Sequence, residues 1–239
     1  MDPMAQFEMI AFDADDTLWH NERLYASAQA RFKHLLMQYH DGEWIEERLY
    51  QTEIYNLKHF GYGIKSFALS MIETAVELTE GRISGQDIRQ IIQTAKEMLG
   101  AEVELLPHVA EVIPVLAERF PLMVITKGDL LDQESKMARS GLAAYFQHVE
   151  VVSDKTEGQY ARLLEKHGIP PHRFLMVGNS LRSDVLPVLA LGGSAVHVPH
   201  AFTWAHEEAE PPRGQPGFHA LEHLGLLPGL LDALAQQGA

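Results

Sequence analysis

At 239 residues, with 46% hydrophobic and 22% charged side chains and no cysteine, the chain suits one large soluble domain, or one domain carrying an inserted lobe; disulfides, thiolate metal sites and a cysteine nucleophile are excluded. No run approaches the ~18–20 unbroken apolar residues that span a bilayer. Acidic residues outnumber basic ones 33 to 19, for a formal net charge of −14; this argues against a protein that grips nucleic acid through a basic face, but not against a small anionic substrate met by a metal ion and a few local cations.

The start, MDPMAQFEMIAFD, has no basic segment and no long apolar core. It reads as a lead-in to a strand rather than a signal peptide, and a cytoplasmic protein is expected. Residues 7–12 form a short apolar run ending at Asp13, the pattern of a buried strand. From about 20 to 104 helical spacing dominates. Leu24, Ala28, Leu35 and Leu36 share one stripe; Trp44, Ile45, Leu49, Ile54, Leu57 and Phe60 share a looser one. Trp44, Tyr50, Tyr55 and Met71 are expected in the core of this helical block. Ser84 with Asp87 reads as a capping box, and Gly100 as a stop after a helix over 85–99.

Beyond Pro107 the texture alternates. Helices are expected over 108–119, 130–140, 157–167 and 181–191, the last interrupted at Pro187. Strands are expected at 122–126, within 148–153, and at 173–178 and 194–198. Residues 209–217 read as a loop and 226–235 as a final amphipathic helix. Alternating strands and helices imply an α/β fold, a doubly wound parallel sheet covered on both faces. The expected division is a core of residues 1–18 and 105–239 and an all-helical inserted domain of residues 19–104. The insertion leaves from the carboxyl end of the first strand, the edge where open α/β sheets bind ligands, so it lies where a lid would lie.

Four clusters follow strands directly. Asp13-Ala14-Asp15-Asp16-Thr17 puts two carboxylates at i and i+2 on a strand-end turn, where one can act as nucleophile and the other as acid and base. Thr126-Lys127-Gly128-Asp129 offers a hydroxyl and backbone N–H groups for a phosphate. Lys155 can hold a phosphate and offset negative charge around the nucleophile. Gly178-Asn179 through Asp184 offers oxygen ligands suited to Mg²⁺. Each cluster alone is also readable as a capped turn or a solvated side chain. Their shared order and position carry the argument.

The set FDADDT, ITKGD, SDKT and VGNSLRSD resembles the haloacid-dehalogenase superfamily of phosphohydrolases over essentially the whole chain, with a helical cap between the first and second motifs. The resemblance implies a Rossmann-like core and a Mg²⁺-dependent phosphomonoester hydrolase acting through a phospho-aspartate. Asp13 would be the nucleophile and Asp15 the acid and base. Lys155 would complete the catalytic set, with Thr126, Lys127 and Gly128 at the substrate. Mg²⁺ would be held by Asp13, the Asp15 carbonyl, Asn179 and Asp184. The short stretch 127–154 implies that the helical cap is the only one. Asn179 departs from the aspartate usual at that position and removes one formal charge.

The alternatives are a 2-haloacid dehalogenase or a phosphomutase on the same fold, and a non-catalytic binding or regulatory protein. Asn179 favours the first and the last. Asp15 argues against the dehalogenase, and the full set of Asp13, Asp15, Thr126, Lys155 and Asp184 argues for retained chemistry. The expected partner is a small phosphorylated metabolite, with no nucleic acid and no membrane, in a monomer or homodimer. The histidines, His197, His200, His206, His219 and His223 among them, read mostly as surface or loop residues, since HExxH spacing is absent. Glu46-Glu47 and Glu207-Glu208 read as solvated helix faces.

Overall fold

The computed structural model describes residues 7–201, 204–207 and 209–237. Strands β1 (Met9–Phe12), β2 (Leu122–Lys127), β3 (His148–Val152), β4 (Phe174–Gly178), β5 (Ser194–His197) and β6 (Phe218–Ala220) form one parallel sheet in the order β3-β2-β1-β4-β5-β6. The chain builds outward from β1 through β2 to β3, then returns to β1's other side with β4. The carboxyl ends of β1 and β4 therefore flank the point where the winding reverses.

Alternation along the strands separates two apolar layers. Ile10, Phe12, Leu122, Val124, Leu175 and Val177 pack with Val109, Ile113 and Leu116 of helix α5 (Val109–Ala117) and with Leu227 and Leu231 of α9 (Leu227–Gln237). Met9, Ala11, Met123, Ile125, Phe174 and Met176 pack with Tyr160, Leu163 and Leu164 of α7 (Glu157–His167). With both faces covered, the central strands are buried end to end, which is why they read as continuous apolar runs.

The chain divides into two compact units: residues 1–20, 103–126 and 134–239, and residues 21–102 with 127–133. The second unit holds α1 (Glu22–Leu36), α2 (Gly42–Phe60), α3 (Ile64–Leu78) and α4 (Gly85–Gly100). Its core includes Ala28, Phe32, Leu36, Ile45, Leu49, Phe67, Met71 and Ile91. Asp41 and Ser84 cap α2 and α4 by accepting from the backbone N–H of Trp44 and Asp87, and Ser84 also donates to the Asp87 carboxylate at 2.8 Å. Trp44 and Tyr55, expected in this core, are instead half exposed. The looser stripe on α2 is wider than the face that α2 buries: Ile45 and Leu49 turn inward, while Trp44, one position round, faces solvent.

Two further elements differ from the sequence reading. Strand β6 was not expected, because three residues between loop segments carry no periodicity. The segment 181–191 is a π-helical turn, Leu181–Val185, followed by a short helix, α8 (Leu186–Ala190). Pro187 sits near the N-terminus of α8, where a missing N–H costs nothing.

Candidate active site

The carboxyl end of β1 places Asp13 at the centre of a buried polar cluster. Its backbone N–H donates to the carbonyl of Val177 on β4 at 2.9 Å, so the residue is fixed by the sheet itself. Asp13 Oδ1 accepts from Lys155 Nζ, which also donates to Asp184 Oδ1 at 2.7 Å. Asp13, Lys155 and Asp184 are all buried. The Thr17 hydroxyl lies 3.1 Å from Asp13 Oδ2 and 3.3 Å from Asn179 Oδ1, one proton between two acceptors.

Burial pushes the Asp13 carboxyl up to about 7; Lys155 opposes this, and the charge of Asp184 adds to it. Burial also works against the Lys155 ammonium, but the two carboxylates more than offset it and hold the lysine firmly charged. One cation thus serves two buried carboxylates.

The π-helical turn after β4 aims Asp184 into this cluster, a common use of such turns. Asp184 Oδ2 accepts from the Ser180 N–H at 3.0 Å. A Cβ on Gly178 would lie 2.2 Å from Asp184 Oδ2 and 2.7 Å from its Cβ, so only glycine leaves room for the carboxylate. Ser180 Oγ donates to Glu207 Oε2 at 2.6 Å, and Ser183 Oγ donates to the same oxygen. Glu207 is therefore not on a solvated face, as its sequence context suggested, but braces the turn that carries Asp184. His197, at the end of β5, has Nε2 3.0 Å from the Asn179 carbonyl, and burial lowers its pKa. The neutral ring so favoured donates to that carbonyl and fixes Asn179. Neither His197 nor His219, which lies in β6, is fully exposed.

Asp15 faces other partners. Its Oδ1 accepts from the Trp19 indole N–H at 2.7 Å, and Lys136 Nζ sits 3.0 and 3.2 Å from its two oxygens. Lys136 lies on α6 (Leu130–Arg139) and is buried despite its charge. The sequence reading missed it, because a lysine on an amphipathic helix has no local mark. Its signal is positional: it lies ten residues past Thr126, on the inward face of the helix that follows β2. Trp19, buried, is a partner of the second carboxylate.

Thr126 is buried near the end of β2, two residues past Val124, the β-partner of Phe12, and so on the same sheet edge as Asp13. Lys127 and Gly128 group instead with the helical unit. There Lys127 Nζ lies 4.0 Å from the Tyr62 ring centroid. Gly128 takes φ 132°, open to glycine, and the Lys127 carbonyl accepts from Gln133 Nε2 at 3.1 Å. The structure thus joins Asp13, Lys155 and Asp184 directly and Asn179 through the Thr17 hydroxyl, and gives Asp15 a separate cationic partner.

Doubly wound α/β sheets bind ligands at the switch point, and there this chain gathers its acidic and basic groups. The family model of haloacid dehalogenase-like hydrolases matches residues 7–192, and the chain belongs to that family. No curated protein matches the sequence. Among solved structures, a haloacid dehalogenase-like family hydrolase from Xanthomonas campestris is 40% identical, with a TM-score of 0.88 over 98% of this chain and 94% of that one. An L-2-haloacid dehalogenase from Xanthobacter autotrophicus is 18% identical, with a TM-score of 0.67 over 95% and 99%. A HAD phosphatase from Thermococcus onnurineus is 18% identical, with a TM-score of 0.61 over 94% and 98%. These last two share the fold. Among the described residues no helix is long and apolar enough to cross a membrane.

Proposed function

We propose that this hydrolase is a Mg²⁺-dependent phosphomonoesterase of a small phosphorylated metabolite, working through a phospho-aspartate on Asp13. The observation that carries this reading is the second carboxylate, Asp15, oriented two residues from Asp13 by Lys136 and Trp19. A carbon–halogen displacement has no leaving oxygen to protonate, whereas a phosphoester does.

The donor set fits a hard cation. Asp13, Asp184 and Asn179 present only oxygens, and burial has raised the Asp13 carboxyl, so added positive charge would favour its ionised form. Mg²⁺ held by Asp13, the Asp15 carbonyl, Asn179 and Asp184 would supply that charge and neutralise the phosphoryl oxygens. Lys155 and Thr126 hold the phosphoryl group beside Asp13. The Asp13 carboxylate attacks phosphorus, the bond from phosphorus to the ester oxygen breaks, and Asp15 gives that oxygen its proton. Asp15 then takes a proton from water; the water oxygen attacks phosphorus, freeing Asp13 and inorganic phosphate.

A 2-haloacid dehalogenase is the second reading, favoured by Lys155, which balances Asp13 and Asp184 with a protein cation, and by the neutral Asn179. One experiment separates them: phosphate release from p-nitrophenyl phosphate and a phosphomonoester panel with Mg²⁺ and with EDTA, beside halide release from 2-chloropropionate. Metal-dependent phosphate release, lost in Asp13→Asn, supports the phosphatase. Metal-independent halide release supports the dehalogenase, and neither release would favour a binding protein.

A further inference from the structure

Asp16, His20 and His200 form a cluster of a different character. One carboxylate oxygen and one nitrogen from each imidazole all lie within 4.8 Å of one another, and His200 Nε2 is 3.7 Å from Asp16 Oδ1. Asp16 is buried and both histidines are largely covered. The rings meet edge to face at 6.0 Å between centroids, 63° apart, so their nitrogens converge without the rings stacking. The backbone holds the set in place. Asp16 takes φ 61°, and its N–H donates to the Trp19 carbonyl at 2.7 Å; the His20 N–H donates to the Glu104 carbonyl at 3.0 Å. His200 comes from the loop three residues past the end of β5.

We infer that Asp16, His20 and His200 form a binding site for a borderline divalent ion of the Zn²⁺ class, separate from the oxygen-only set around Asp13. Two neutral imidazoles and a carboxylate are the ligands of three-coordinate protein Zn²⁺ sites that keep a fourth position for water. Nitrogen-rich sets of this kind select Zn²⁺, Co²⁺ or Ni²⁺ over Mg²⁺, which takes oxygen. Tetrahedral ligands about 2.0–2.1 Å from zinc stand roughly 3.4 Å from each other. The 3.7 Å between His200 and Asp16 is close to that, and the remaining separations, all within 4.8 Å, close by rotation of the imidazoles. Occupancy ties the loop that follows β1, which carries Asp13 and Asp15, to the loop that follows β5. The ion is thus placed to stiffen the catalytic loop without entering the catalytic cluster.

The site is tested on the tag-free chain with Mg²⁺ in millimolar excess to cover the oxygen ligands. Zn²⁺ is titrated calorimetrically and Co²⁺ by visible absorption, with the melting temperature followed in parallel. One equivalent of each is expected, with Co²⁺ bands of nitrogen-containing coordination and a raised melting temperature. His20→Ala and His200→Ala should each weaken uptake by more than the ~10–100-fold that outer-shell partners cost, while Asp184→Asn should retain it. Asp16→Asn keeps the left-handed backbone that Asn also tolerates, and it should weaken binding without unfolding the loop; circular dichroism checks the fold of each variant. No uptake of either ion, or uptake untouched by both histidine variants and lost in Asp184→Asn, would overturn the inference.

Discussion

The sheet edge and the helical unit desolvate carboxylates in two different ways. At the sheet edge Asp13 and Asp184 share the ammonium of Lys155. In the helical unit Glu53 of α2 is pushed up to about 8 by burial, with the charge of Glu22 adding to it, so near neutrality it is mostly a neutral acid. Desolvation acts in both places. In the first a fixed cation opposes it and limits the rise of Asp13 to about 7, whereas in the second no cation opposes it and a proton removes the charge.

Asp13→Asn keeps the volume and removes the proposed nucleophile, so turnover should fall about 10⁴-fold or more, as for nucleophile loss elsewhere; steady-state phosphate release reads it. Lys155→Met leaves two buried carboxylates without their shared cation. It should cost about 3–5 kcal/mol of stability near pH 7, read from urea midpoints, with a smaller loss at pH 4, where Asp13, raised to about 7, is protonated. Lys136→Met removes the group that orients Asp15. A fall of about 10²-fold in kcat/KM is expected, the scale of a misplaced general acid or base, with Mg²⁺ dependence unchanged.

The folded Glu53 binds its proton more tightly than the unfolded chain does, about 8 against the ordinary 4.5. Its contribution is therefore whole below 4.5 and lost as pH rises through 8. Glu53→Gln should leave melting temperature unchanged near pH 4.5 and raise it relative to the parent at pH 9. Parallel pH–melting curves for the two proteins would refute the neutral-acid reading.

Much of the sheet edge was legible in the sequence because each motif sits directly after an apolar run, so chain position and spatial position coincide. Asp13, Asp15, Lys155 and Asp184 were found in this way, with the strand that carries each. Lys136 was not, because a helix face brings it in and helix composition does not distinguish it. His20 and His200 lie on loops 180 residues apart, and only the folded sheet brings them together. Glu207 looked solvated beside a second glutamate, yet it receives two serine hydroxyls. In the helical unit, Trp44 and Tyr55 show that apolar size does not decide which side of a helix turns inward.

Gly178 has a consequence beyond packing. Any base change in a glycine codon that alters the residue installs a side chain, and every side chain begins with a Cβ, the atom that would collide with Asp184. The position can change only if Asp184 is displaced. Variation in this protein should therefore leave position 178 fixed, and a lineage that lost its glycine would have had to abandon the Asp184 carboxylate first.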